Sequence, residues 1–169
     1  MVISNTTPLI NFSCIDRLDI LESLFTELII PQTVRTELIE KVNKFPNIQQ
    51  VLCSGFISVK QVMNKQLVDS LTMDLHRGEA EVIVLGLENR NSLLILDEID
   101  ARNIAKFHEL KFTGTIGCLL EAKSLNIIAE IKPLLDLIQT KANFWIHNKL
   151  YEQILKDAQE NDDSTQGEY

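Results

Sequence analysis

Five carboxylates and one carboxamide of this sequence stand where a fold could bring them to one point. Asn5 follows the short apolar run Val2-Ile3, inside the polar cluster Ser4-Asn5-Thr6-Thr7-Pro8. Asp97, Glu98 and Asp100 follow the run Leu93-Leu94-Ile95-Leu96. Glu79 opens a helical stretch after Gly78, and Glu37 lies inside another after Pro31. Gly114-Thr115 follows a short segment near 111–113. In an open parallel α/β sheet, ligands bind beyond the carboxyl ends of the strands, so these residues would gather at that edge. Carboxylates converging there repel one another unless a cation neutralises them. Oxygen-only ligands suit Mg²⁺ or Mn²⁺ rather than zinc or copper.

Hydrophobic periodicity predicts the elements that would carry these groups. After the first strand, Ile15, Leu18, Leu21, Leu24 and Phe25 mark a helix. Leu28-Ile29-Ile30 reads as a second strand. Pro31 then suits the first turn of the next helix, with Val34, Leu38, Ile39 and Val42 on its apolar side and Pro46 ending the region. A strand is expected within 56–62 and a helix over 65–76. The helix over 78–88 is apolar nearly all the way round, the mark of deep burial. Leu93–Leu96 does not alternate, as expected of a strand covered on both faces in a parallel sheet. A helix to about Leu110, the segment 111–113 and a further helix follow. From Ile128 the pattern is helical only. Leu134, Leu135 and Ile138 form one stripe; Leu150, Tyr151, Ile154, Leu155 and Ala158 form another, with Asn148 as its expected N-cap. These stripes would clasp the sheet or pair with another subunit. The expected fold is α/β, a three-layer sandwich whose mostly parallel sheet of four or five strands is flanked by helices, plus C-terminal helices.

Composition excludes several classes. A chain of 169 residues, 45% hydrophobic with ten Gly and Pro together, is neither collagen-like nor wholly disordered. No apolar stretch reaches the roughly 20 residues needed to span a bilayer. The start MVISNTTPLI lacks the basic region and cleavage site of a signal peptide, and Cys14, Cys53 and Cys118 show no C-x-x-C spacing. A cytoplasmic protein without a membrane partner is the expectation. The net charge of −8 argues against strong non-specific affinity for polyanions, although 157–169 alone contributes −5 and the other 156 residues −3.

Five segments taken in order, SNTTPLI, IPxxVxxELI at 30–39, GEAEVI at 78–83, LLILDEIDARNIA at 93–105 and TGTIGCLLEAK at 113–123, resemble PIN-domain proteins. They are most similar to the PIN-like branch related to VapC-type toxin–antitoxin ribonucleases. The resemblance implies RNA phosphodiester hydrolysis at three or four acids that hold one or two Mg²⁺ or Mn²⁺ ions. Its first acid falls at Asn5, its second at Glu37, its third at Glu79 and its fourth at Asp97, with Glu98 and Asp100 as close rivals. Glu37, Glu79 and Asp97 would be the catalytic carboxylates, and Thr115, Ser4 and Arg102 would contact water or phosphate. Such ions lower the pKa of bound water and offset charge developing on phosphate. The implied partners are an RNA substrate, an antitoxin protein and a second copy in a homodimer. The implied organisation is a PIN-like domain at 1–127, a helical extension packed on it at 128–160, and a disordered acidic tail at 161–169. One departure stands out: Asn5 takes the place of an Asp, which removes a full negative charge. A non-catalytic PIN-fold module that binds protein or RNA is the alternative, and another α/β phosphoesterase with the same acidic edge is a third reading.

Each residue also has a plainer role open to it. Asn5 is a common turn former. Glu37 could be a solvated helix charge, and Glu79 a carboxylate favoured by a helix dipole. Asp97 and Thr115 could be N-caps. Asp100 reads as a surface residue, and Arg102 as a partner for nearby carboxylates, together with Lys106. Glu81, about 200° round the helix from Glu79, cannot face the same point and reads as structural. His76, His108 and His147 share no ligand-like spacing. Cys14 and Cys118 read as buried packing residues. Phe144-Trp145-Ile146 reads as packing of the C-terminal helices.

Overall fold

In the computed structural model, which describes residues 1–160, five parallel strands form one sheet in the order β3-β2-β1-β4-β5. The strands are β1 Val2–Ser4, β2 Leu28–Pro31, β3 Ile57–Lys60, β4 Leu93–Ile95 and β5 Lys111–Thr113. Ten helices connect and flank them: α1 Thr6–Cys14, α2 Leu18–Leu24, α3 Gln32–Lys41, α4 Ile48–Leu52, α5 Lys65–Leu71, α6 Arg77–Glu88, α7 Ile99–Phe107, α8 Thr115–Ser124, α9 Lys132–Lys141 and α10 Asn148–Asp157. The segment 161–169, expected to be a disordered tail, lies outside the described residues.

The sheet is parallel throughout because every connection between strands contains at least one helix. Its order reverses at β1. The chain first runs outward through β2 and β3, then returns to the other side of β1 for β4 and β5. Register pairs Val2 with Leu28 on one side and with Leu93 on the other, and Ser4 with Ile95. The crevice beyond the ends of β1 and β4 is therefore the topological switch point, the natural ligand site of such a sheet.

Two helical layers cover the sheet. α6 packs on β1, β2 and β4 and against α3, α5 and α7; α1 packs against α2, α4, α8 and α9. All nine residues from Gly78 to Gly86 are buried, in keeping with the all-round apolar pattern of α6. Ile3, Leu94 and Ile95 have no exposed surface, so the central strands are covered on both faces.

Several boundaries differ from the pattern-based expectation. α1 starts at Thr6 and runs through Thr7 and Pro8, residues expected to be an irregular polar cluster. Pro8 is tolerated because the first-turn N–H groups of a helix have no partner within it. α1 stops at Cys14, and Asp16 adopts a left-handed φ of 55° before α2 begins. Pro31 closes β2 instead of opening a helical turn, and α3 starts one residue later. The short helix α4 after Pro46 carried no periodic signal, having only five residues. α5 ends at Leu71, short of His76. The N-cap of α10 is His147, whose Nδ1 accepts the Lys149 amide at 3.2 Å, rather than Asn148.

Candidate functional site

A cavity of about 280 Å³ opens at the switch point, lined by Asn5, Thr6, Thr7, Glu37, Lys41, His76, Arg77, Glu79 and Glu98. Five elements supply these residues, each by its terminus or by one helical face. The turn out of β1 places Asn5, which is only 3% exposed. The first turn of α1 then presents Thr6 and Thr7. Glu37 and Lys41 stand four apart on α3 and so share a face. Glu79 lies in the first turn of α6, buried to 8% exposure, and its carboxylate accepts the His76 amide at 3.1 Å. Glu98 leaves the end of β4 just before α7.

Hydroxyls and an amide fix the carboxylates. The Thr6 hydroxyl donates to Glu37, the Thr7 hydroxyl donates to Glu98, and the Asn5 amide group donates to Glu98. Asn5 Oδ1 is buried and has no hydrogen-bond partner among the described residues. A buried carbonyl oxygen without a donor is costly in free energy, and a cation or a bound donor would satisfy it. Gly78 makes the approach of Glu37 possible: a Cβ there would stand 2.6 Å from Glu37 Oε1. The Glu37 carboxylate thereby reaches the first turn of α6, where the dipole favours negative charge.

The acids interact electrically. Burial pushes the Glu79 carboxyl above its usual range, and the charges of Glu98 and Glu37 push it further, against the stabilising His76 amide. A divalent ion would relieve that strain. Beside the His76 imidazole, the cavity is lined by oxygen donors: the Asn5 carboxamide and the carboxylates of Glu37, Glu79 and Glu98. In kind they fit Mg²⁺ or Mn²⁺. Among the described residues, no three His, Cys, Asp or Glu side chains are drawn together closely enough to grip a metal.

Asp97, the expected fourth acid, does not line this cavity. Its carboxylate accepts the Thr115 amide at 2.8 Å, the Thr115 hydroxyl at 2.5 Å and Asn11 Nδ2 at 3.2 Å. Neighbouring side chains leaving an extended strand point apart. Here Glu98 meets Asn5 and Thr7, while Asp97 meets Asn11 and Thr115. Asp97 thus satisfies the start of α8, not that of the helix that follows it in sequence. Burial raises the Asp97 carboxyl, as does the Glu98 charge, while the two Thr115 bonds and Arg102 oppose the rise. Gly114 permits the arrangement, since a Cβ there would meet Asp97 Oδ1 at 2.7 Å and also the Arg102 guanidinium.

The other expected site residues lie around this core. Ser4 is wholly buried and its hydroxyl donates to the Asn5 carbonyl. Thr115 is buried against Asp97, and its neighbour Gly114 is the N-cap of α8. Arg102 donates through Nε to the Leu96 carbonyl at 2.8 Å and lies over the Phe112 ring. Asp100 is exposed and borders an adjoining cavity. Glu81 is structural, accepting the Thr33 amide at 3.2 Å and its hydroxyl at 2.7 Å.

Sequence reasoning did not pick out Thr7, Asn11, Lys41 or Arg77 for this region; it named Thr6 only within the polar cluster after β1 and set His76 aside for want of ligand-like spacing. The signal for Thr7 and Asn11 was a spacing of four, one helical turn, which becomes readable only once the helix is known to start at Thr6. Cys14 and Cys118 are buried and free, and burial pushes the Cys118 thiol up to about 12. That leaves it unreactive.

No curated protein and no solved structure matched this chain. Residues 1–160 match the sequence profile of a family described as a PIN domain, a span that includes α9 and α10. The parallel sheet and its flanking helices are those of a PIN-like α/β sandwich. PIN domains are generally nucleases that act on RNA and typically use divalent metals. The acidic crevice at the strand ends and the profile match together settle the question of kinship: the chain belongs to the PIN-domain family.

Proposed function

We propose that this protein is a Mg²⁺- or Mn²⁺-dependent endoribonuclease and the toxin half of a toxin–antitoxin pair. The observation that carries this reading is the orphaned Asn5 Oδ1, buried beside Glu98 in a cavity shared with Glu37 and Glu79. One or two ions held there would supply a water of lowered pKa and offset the charge that builds on the phosphate. Asn5 Oδ1, Glu98 and Glu79 are the proposed ligands. Glu37, steadied by the Thr6 hydroxyl, orients the attacking water and can take its proton. Lys41 stands at the same cavity and attracts the phosphate. Asp97 is a positioning residue: it anchors the start of α8 and thereby the chain segment that presents Glu98.

The test is cleavage of single-stranded RNA in Mn²⁺, with EDTA and Glu98→Gln as controls. Cutting that needs both the ion and Glu98 is expected. A protein that neither takes up Mn²⁺ at millimolar concentration in calorimetry nor cuts RNA would overturn the reading. In a bacterial host, induced expression is expected to arrest growth, with relief by Glu98→Gln.

One observation favours a second reading, a binding module without catalysis. The Asn5 amide group occupies one oxygen of Glu98, which an Asp at position 5 would leave free. Metal uptake without cleavage would select it.

The division at 127/128 separates the catalytic α/β unit from a helical clasp over 128–160. The exposed side chains of Ile99, Phe107 and Trp145 support a homodimer, which light scattering tests. Cytoplasmic residence accords with the described residues, in which no helix is long and apolar enough to cross a membrane.

A further inference from the structure

The acidic cavity does not end at its own walls. On one side it meets a second cavity of about 330 Å³, lined by Gln32, Thr33, Gln61, Val62, Lys65, Arg77 and Glu81. Arg77 belongs to both linings. On the other side it meets a third cavity, with which it shares His76, Glu79 and Glu98. The second and third cavities thus adjoin the first through shared residues, as two arms that differ in charge. The third cavity adds Asp74 and Asp100 and carries no Lys or Arg. The second carries Lys65 and Arg77 among neutral amides and hydroxyls.

The single acid of that arm is already committed. Glu81 accepts both the amide and the hydroxyl of Thr33 and is only 7% exposed. The cations are available. Lys65 is exposed and makes no ion pair or hydrogen bond through its ammonium among the described residues. Arg77 is held only loosely, at 3.4 Å from Asp69 and 3.7 Å from Glu81, with half its side chain exposed. Exposed pairs of this kind contribute little and exchange readily. A polyanionic strand crossing the acidic centre would be repelled along the Asp74/Asp100 arm and attracted along the other.

We propose that Lys65 and Arg77 form a phosphate-binding subsite, in the cavity walled by Gln32, Thr33 and Gln61, for a backbone phosphate of single-stranded RNA flanking the scissile one. The identity of the ligand as RNA rests on the nuclease reading; the subsite itself is a claim about binding. It makes engagement of the strand one-sided. Affinity gained on the basic arm offsets the repulsion at the carboxylates, as a chain of net charge −8 requires.

The test is fluorescence anisotropy of the whole protein with a labelled single-stranded RNA of about ten nucleotides, in EDTA, across a salt series. Lys65→Gln, Lys65→Glu and Arg77→Gln are compared with Lys156→Gln, an exposed lysine on α10. Each neutralised contact is expected to weaken binding several-fold and to lower the slope of log affinity against log salt by roughly 0.7. Lys65→Glu should weaken it further, and Lys156→Gln should match the native protein. Lys65→Glu keeps the test valid if Arg77→Gln unfolds. Native-like slopes in both Lys65 variants would overturn the subsite, as would a native protein that does not bind RNA, or one that prefers an acidic peptide. Cleavage in Mn²⁺ is scored separately. A protein that cuts RNA with unchanged Lys65 variants loses the subsite and keeps the nuclease reading. A protein that binds through Lys65 and never cuts keeps the subsite and loses the nuclease reading.

Discussion

The carboxylate of Asp97 accepts both polar hydrogens of Thr115, the backbone amide at 2.8 Å and the hydroxyl at 2.5 Å. An acid just beyond the end of β4, the neighbour of the central β1, is thereby spent on the start of α8, and the adjacent Glu98 is left to face the cavity. Thr115→Val, which keeps the shape and removes the hydroxyl, is expected to cost about 1–3 kcal/mol in urea unfolding, because the half-buried Asp97 carboxylate is left with one partner fewer. Calorimetric titration with Mn²⁺ should separate the two acids. Glu98→Gln is expected to lower affinity more than Asp97→Asn does, and the reverse order would return the ligand role to Asp97.

Gly78 is expected to matter for the site and not for the fold. An added methyl at 2.6 Å from Glu37 Oε1 must displace that carboxylate, which sits at the end of a flexible side chain and can move. Alanine is also favoured over glycine in a helix by about 1 kcal/mol. Gly78→Ala should therefore melt at or above the native temperature while binding Mn²⁺ more weakly. Unchanged Mn²⁺ affinity would mean that Glu37 takes no part.

Asn5→Asp tests the missing charge. Without metal, a carboxylate would replace the donor that Glu98 now accepts, and the two like charges would repel. The variant is expected to melt lower than the native protein in EDTA. With Mn²⁺ the same charge becomes attractive. A gain of roughly 1–3 kcal/mol, that of one charge-assisted contact, corresponds to about tenfold to a hundredfold in affinity. A melting temperature equally insensitive to Mn²⁺ in both proteins would remove position 5 from the ligand set.

Glu160 links the C-terminal helices to the sheet domain. Its carboxylate accepts the Ile131 amide at 2.7 Å and the Lys132 amide at 2.9 Å, at the start of α9, and pairs with Lys123 of α8 at 2.8 Å. Burial works to raise this carboxyl, but the Lys123 ammonium and the two amides hold it below its usual range. A depressed folded value means that the stabilisation is complete above the unfolded value of about 4.5 and is lost as pH falls below it. Glu160→Gln is expected to lower the melting temperature at pH 7 by about 2–4 °C, equivalent to about 1 kcal/mol. The gap should close in acid. A gap that persists at low pH would assign the effect to packing.

Much of the fold was readable along the chain. Glu88 and Arg77 bound a helix whose residues 78–86 are all buried, and apolar positions placed nearly all the way round that stretch announced it. The parallel sheet followed from short apolar runs separated by helices. Short elements were harder to read. α4 has five residues, too few for a period to emerge, and α1 begins inside a polar cluster whose Thr and Pro residues also suit a turn.

For the site, residue types along the chain already supplied the inventory: oxygen-rich residues at Asn5, Glu37, Glu79 and 97–98, each just past a strand or on a helix facing a strand end. The charge lost at Asn5 was equally legible, since residue type needs no coordinates. Which of Asp97 and Glu98 meets the cavity became visible in the folded chain alone. Adjacent residues leave a strand in opposite directions, and which one turns inward depends on the pairing of β4 with its neighbours, not on either residue's chemistry. The tertiary structure likewise brought Thr6 and Thr7 onto Glu37 and Glu98, and set Arg77 between two cavities. Those contacts join residues 31 and 91 positions apart, or border two cavities at once, and such relationships leave no local pattern in a chain.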